Sequence, residues 1–305
     1  MLGYCCINMT LREQGIKVNR GCIKKTFQEK GLEYVSQLAL LNVRDLIEIV
    51  KWNINNDIKV YRMSSSMFPW MSEYELQDLP DIKKITILLQ GLGRLVNQHN
   101  LRLSFHPGHF NVLGSPNQSA IDKTVKEINQ HAEIMDLIGL EQSHFFPINI
   151  HCNGTYNDKE ATLARWCENK KLLSSSAQKR LVIENDDRLA MYSVQDLYDH
   201  VYLKSNTPIT FDYHHHSIHS DNLTEQEAFE LAMSTWGSTK PLFHYSSAKK
   251  LFEDESSNIR AHADMIWSYI DTYGYDIDID LEAKGKELAL LKYNGRYSNY
   301  ALLRT

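Results

Sequence analysis

Hydrophobic residues recur along this chain in two rhythms. Short runs rich in β-branched and aromatic residues read as strands: LGYCCI (2–7), KVYRMS (59–64), LRLSF (101–105), PINIH (147–151), RLVIEN (180–185), PITFD (208–212), LFHYS (242–246) and DIDIDLE (276–282). Between them lie longer stretches with apolar residues three or four apart, which read as helices. Among these are LEYVSQLALLNVRDLIEIVKWNI, IKKITILLQGLGRLVNQH, AIDKTVKEINQHAEIMDLI, SVQDLYDHVYL, EQEAFELAMSTW, IRAHADMIWSYIDTYG and KGKELALLKY. Strand followed by helix, eight times, predicts parallel strands joined by helical crossovers. Eight such units predict an α/β fold of one kind, a single-domain (β/α)8 TIM barrel over residues 1–305, somewhat above the roughly 250 residues typical of it. No Pro-, Gly- or Ser-rich linker and no low-complexity tract divides the chain. The longer excursions fall at 8–30, 63–80 and 246–258.

Composition narrows this picture. A 43% hydrophobic share supports a buried core. No apolar run approaches the roughly 20 residues of a membrane span, which predicts no membrane partner. The start, MLGYCCINM, has no charged segment ahead of an apolar stretch and does not read as a signal peptide. Cys5, Cys6, Cys22, Cys152 and Cys167 are odd in number with no CxxC pair, which argues against a disulfide framework and a thiolate zinc site. They predict a reducing cytoplasm. The net charge of −5 argues against a surface coated with DNA-binding charge, while leaving room for a local basic groove.

Barrel enzymes keep their chemistry at the C-terminal ends of the strands. Here strand 3 runs into His106, strand 4 ends on His151, strand 5 on Glu184, strand 6 on Asp212 and strand 8 on Glu282, and strand 7 carries His244. One such residue means little. Six successive strands delivering a His, Asp or Glu to one face predict a cation among them, because clustered carboxylates and imidazoles otherwise repel or stay unsatisfied. Nitrogen and oxygen ligands without thiolates suit Zn²⁺, Mn²⁺ or Mg²⁺. In FDYHHHSIH (211–219), the Asp212-to-His215 step lets both side chains point into the mouth. His214 is expected to pack or meet solvent, His216 to lend support from behind the ligands, and His219 to lie in a loop.

The ordered set LGYCCIN, YRMSSS, HPGHFNVLGSP, IHCNGTYNDK, IENDD, FDYHH, FHYSS and EAKGKELAL resembles the UV damage endonuclease family, related in outline to endonuclease IV, over nearly the whole chain. The resemblance implies three divalent metal ions, with Mn²⁺ favoured, held by His106, His151, Glu184, Asp212, His215, His244, His262 and Glu282. Glu184 would bridge two ions, as its central place and its carboxylate also suggest. Bound ions would acidify a water and neutralise the phosphate. The implied reaction is hydrolysis of the phosphodiester 5′ of a UV photolesion, a pyrimidine dimer or 6-4 photoproduct, and of some abasic sites, leaving 3′-hydroxyl and 5′-phosphate ends. Glu184 and Lys284 are the catalytic candidates, with Lys284 beside the leaving oxygen. Tyr4, Asn8, His109 and Phe110 match positions that face the two DNA strands, where flipped-out nucleotides are replaced by side chains. Arg62, Lys284 and Lys286 are candidates for phosphate contact.

Two departures stand out. Many relatives carry HPGQ and an aromatic where this chain has HPGHF. Some carry a lysine two residues before the strand-7 histidine, where this chain has Leu242 and its nearest lysine is Lys240. The partner implied is damaged double-stranded DNA, with no organic cofactor, for a monomer in the bacterial cytoplasm associated with the nucleoid. Three rival readings are an endonuclease IV-like abasic-site enzyme, a metal-dependent sugar isomerase-type barrel and a DNA-binding module without catalysis. The isomerase predicts a closed small-molecule pocket, and the module leaves so many ligands unexplained.

Overall fold

The computed structural model describes residues 1–297, so residues 298–305 of the predicted domain lie outside the described residues. Eight strands form a parallel ring: β1 (Leu2–Cys5), β2 (Val60–Met63), β3 (Arg102–Phe105), β4 (Ile148–His151), β5 (Leu181–Glu184), β6 (Ile209–Thr210), β7 (Leu242–Tyr245) and β8 (Asp278–Leu281). Each falls inside its predicted run. Their order is β6-β5-β4-β3-β2-β1-β8-β7. The ring closes between β6 and β7 through a single backbone bridge, Asp212 opposite His244, with the His244 amide donating to the Phe211 carbonyl at 2.9 Å.

The helices are α1 (Met9–Arg12), α2 (Lys24–Asn55, kinked at Gly31), α3 (Ile82–His99), α4 (Gln118–Ile138), α5 (Lys159–Lys170), α6 (Ser175–Arg180), α7 (Val194–Leu197), α8 (Leu203–Ser205), α9 (Tyr213–Ile218), α10 (Glu225–Ser234), α11 (Lys249–Phe252) and α12 (Glu287–Tyr297). Among the described residues, no helix is long and apolar enough to cross a membrane. The helix faces pack on the outward side chains of the ring, including Leu103, Phe105, Ile183, Phe211, Phe243 and Leu281. Ile85, Leu89, Leu92 and Val96 form the buried stripe of α3, at the spacing of an amphipathic helix. Gly93 on that face has no alternative: an added Cβ would lie 1.8 Å from the Ile138 carbonyl oxygen.

One predicted helix is absent. Residues 259–274 carry helical apolar spacing but run as an irregular strap. Their amides are taken by tertiary acceptors. Ala263 donates to the Ser247 carbonyl, Asp264 and Met265 to the Glu253 carboxylate, Trp267 to Ser247 Oγ and Ile270 to the Tyr293 hydroxyl. These bonds replace the i to i−4 ladder that the pattern implied.

The lumen of this barrel is polar rather than filled with branched aliphatics. At its floor, Arg102 is fully buried. It donates to Asp278 Oδ2 at 3.0 Å and to the carbonyls of Phe145 and Pro241. Asp278 also accepts from the Met1 amino group at 2.9 Å and pairs with Lys240 at 3.0 Å. One layer up, Ser104 donates to Asp280 at 3.1 Å. Strand alternation carries the same faces to the mouth two residues later, at His106 and Glu282.

Candidate metal centre

Glu184 stands at the centre of the mouth, fully buried at the end of β5. Four imidazoles approach its carboxylate. His106 Nε2 is 3.0 Å from Oε2, His244 Nδ1 is 3.1 Å and His151 Nε2 is 3.6 Å from the same oxygen, and His215 Nδ1 is 3.3 Å from Oε1. Glu282 joins from β8, 3.3 Å from His244 Nδ1, and His262 Nδ1 is 3.6 Å from the other Glu282 oxygen. The strap 259–274 brings His262 there, through the pairing of its backbone with Ala248.

Among the described residues two ligand-capable sets result: His106, Glu184, His244 and Glu282, and His151, Glu184 and His215. Within each set the donor atoms lie within 4.8 Å of one another, and Glu184 belongs to both. Asp212 lies beside the second set. Its Oδ1 caps α9 by accepting from the His215 amide at 2.7 Å. The residues fit divalent cations on a further ground. Glu184 Oε1 and Asp212 Oδ2 are shut from solvent and accept no hydrogen bond. A buried carboxylate oxygen left so is costly unless a cation faces it.

The electrostatics run the same way. Burial opposes the charged form of His151, but the carboxylates of Glu184 and Asp186 outweigh it and push the ring up to about 10. The same contest, through Glu184 and Glu282, pushes His244 up to about 8. His215 is raised against its own burial by Asp212 and Glu184. His106 is lowered by burial, with the Arg62 charge adding to it. Burial would raise Glu184 and Glu282, yet the histidine charges hold Glu184 well below the carboxylate range, and Arg62 leads in doing so for Glu282. Protonated rings thus stand in for the positive charge that the carboxylates require.

Several neighbours orient the set, and none of them stands out in the motifs. Asn149, two residues before His151 on the same face of β4, donates to Glu184 Oε2. Asp186 Oδ1 lies 3.1 Å from His151 Nδ1, which leaves Nε2 for the centre. The side chain of Asn185 exchanges two hydrogen bonds with the Asp212 backbone, as a strand partner would. Period-two parity from His151, Glu184 and Glu282 would have found Asn149, Asp186 and Asp280, whereas Asn185 gave no periodic signal.

The structure corrects other expectations. Tyr4 does not face the mouth. It is fully buried on the helix side of β1, where its hydroxyl donates to Asn53 at 2.7 Å and accepts from Asn8 at 2.9 Å. Cys5, next along the strand, takes the lumen side and donates to the Leu281 carbonyl at 3.5 Å. Asn8 is buried as the cap of α1, accepting from the Leu11 amide at 2.8 Å. Arg62 is turned inward and ion-paired to Glu282, so its guanidinium is not offered to a phosphate at the surface. Lys284 is exposed, and neither it nor Lys286 pairs with a carboxylate among the described residues. Lys240 cannot replace a lysine at 242: it sits at the floor, bound to Asp276 and Asp278. In the histidine run, His214 and not His216 adjoins the centre. His214 meets His262 edge-on with ring centroids 5.4 Å apart, while His216 packs on Phe211. His219 lies just past α9 in the loop, as expected, but is buried. The pair His109 and Phe110 does stand out from the mouth, with rings 4.1 Å apart and Phe110 80% exposed.

Known proteins are similar to this chain in sequence and in fold. The family model described as UV-endonuclease UvdE matches residues 1–303. A UV-damage endonuclease of Schizosaccharomyces pombe is 34% identical over 97% of the chain, which spans 50% of that protein's length. The crystal structure of SacUVDE superposes with a TM-score of 0.85 at 28% identity, covering 98% of each chain. Endonuclease IV from Thermus thermophilus shares the fold alone, with a TM-score of 0.57 at 12% identity over 96% of this chain and 97% of that one.

Proposed function

Since the chain belongs to the UV-endonuclease family, we propose that it is a metal-dependent endonuclease that incises damaged duplex DNA on the 5′ side of a photolesion. The observation that carries this reading is the sharing of Glu184 between two ligand-capable sets at the barrel mouth. His106, His244 and Glu282 would hold one divalent ion and His151 and His215 a second, with Glu184 common to both. Asp212 and His262 flank these sets and are the candidates for a third. Mn²⁺ is the preferred ion of this reading. When bound, such ions supply charge neutralisation at the phosphate and a nucleophile at neutral pH.

The chain's own residues do the rest. Asn149 fixes the Glu184 carboxylate, Arg62 holds Glu282, and Asp186 sets the ring orientation of His151. The exposed His109–Phe110 pair fills the gap left by a displaced nucleotide, as apolar wedges do elsewhere. Lys284, exposed two residues after Glu282, is the candidate to stabilise the leaving oxygen. The abasic-site alternative keeps the same centre and differs only in what the mouth accepts. A sugar isomerase finds no support in the family match.

The test is incision of three duplexes by the purified protein with Mn²⁺: one with a single cyclobutane pyrimidine dimer, one with an abasic site and one undamaged. Cutting immediately 5′ of the dimer is expected. Cutting of the abasic duplex alone selects the endonuclease IV-like reading, and cutting of neither refutes nuclease activity.

A further inference from the structure

The chain carries a net charge of −5, so a polyanion approaching the mouth needs cations placed locally around it. The rim needs cations. Two loop tips supply them in the same form. The loop after β5 presents Arg188 and Leu189, and the strap before β8 presents Ile259 and Arg260. Leu189 is 75% exposed and Ile259 55%. Neither packs against the core. Asp187 ties the tips together: its Oδ1 lies 4.0 Å from Arg188 Nε and 3.8 Å from Arg260 Nη1. Single exposed aliphatics are ordinary on a protein surface. A guanidinium beside a bare aliphatic on two loops, drawn together by one carboxylate and tethered within a few residues of Glu184 and His262, is a different matter.

We infer that the Arg188–Leu189 and Ile259–Arg260 tips form one clamp for duplex DNA flanking the scissile bond. The guanidiniums take backbone phosphates, and the two aliphatics lie against the sugars at the groove edge. The clamp is separate from the β3-loop pair that meets the displaced nucleotide. It supplies salt-dependent attraction at the rim of a chain whose overall charge is negative. This inference rests on the nuclease reading.

The experiment measures binding by fluorescence anisotropy, in Ca²⁺, to a dimer-containing and an undamaged duplex over a series of salt concentrations. Incision in Mn²⁺ is measured in parallel. The variants are Arg188→Ala, Arg260→Ala, the double Arg→Lys and the double Leu189→Ser/Ile259→Ser. Each Arg→Ala change is expected to weaken binding to both duplexes roughly three- to tenfold and to lower the salt slope by about 0.9. The lysine double should keep that slope. The serine double should weaken duplex binding without altering the slope. In all four, kcat at saturating DNA should stay near the wild-type value while KM rises. Wild-type cutting with unchanged slopes in the Arg→Ala variants overturns the clamp alone. A wild-type protein that neither binds nor cuts DNA overturns the nuclease reading and the clamp with it.

Discussion

The two ends of the barrel lumen both bury carboxylates, yet they are balanced in different ways. At the floor, Arg102, Lys240 and the Met1 amino group surround Asp278, and each cation has a named partner. At the mouth, Arg62 answers Glu282, but Glu184 and Asp212 keep oxygens without a hydrogen bond, and the histidines must charge themselves to compensate. The floor is electrostatically complete and the mouth is not. Buried charge by itself therefore says little about function. Buried charge that the protein leaves unanswered points to something that arrives from outside.

That contrast can be broken at either end. Arg102→Met removes the floor's central cation, leaves Asp278 to Lys240 and the Met1 amino group, and takes a donor from the Phe145 and Pro241 carbonyls. A loss of about 3–5 kcal/mol is expected in chemical unfolding, with the metal content of the folded variant unchanged. A drop in metal content would show that the ends are not separate. Glu184→Gln acts at the other end. Incision should fall by more than about 100-fold, beyond the cost of losing an orienting partner, and elemental analysis should find less bound metal. Full activity in this variant would remove Glu184 from the centre. Asp186→Asn should weaken metal binding by about 10- to 100-fold in calorimetry, since it disturbs the orientation and charge of His151 but removes no ligand.

The subtlest expectation concerns pH. In the folded, metal-free protein His151 and His244 titrate near 10 and 8, above the ordinary imidazole value of about 6.5. Their charged rings therefore stabilise the metal-free fold fully below about pH 6.5, and that contribution is lost as pH rises through about 8 and then about 10. Rings bound to metal carry no such proton, so the decline in Tm over this range should shrink when Mn²⁺ is present. Equal declines with and without Mn²⁺ would mean that the rings are not where the metal binds.

The barrel was legible because its signals are repeated: eight strand runs, each ending near a polar residue, leave little choice of architecture. The ligand-capable histidines and carboxylates were legible for the same reason, since parity along a strand decides which side chains enter the lumen. Where a resemblance was carried over without parity, the reading failed. Tyr4 is adjacent to Cys5, so only one of them can face inward, and it is Cys5. Asn8 was consumed by a helix cap and Arg62 by Glu282, contacts that no local pattern announces. The strap 259–274 was misread because tertiary acceptors, contributed by Glu253, Ser247 and Tyr293, captured amides that its spacing assigned to a helix.

The joint between β6 and β7 has a mechanical meaning. A barrel is a hoop, and this one is fastened between β6 and β7 by one bridge, Asp212 to His244, one residue from each flank of the mouth. Any ion gripped by residues on both sides of that joint acts as a rivet across it. Loading the centre would tighten the hoop, and emptying it would let the wall part first at the place where the chemistry is done. Slow amide exchange at His244 in loaded protein, and fast exchange in stripped protein, would be the signature of a wall that its cargo holds shut.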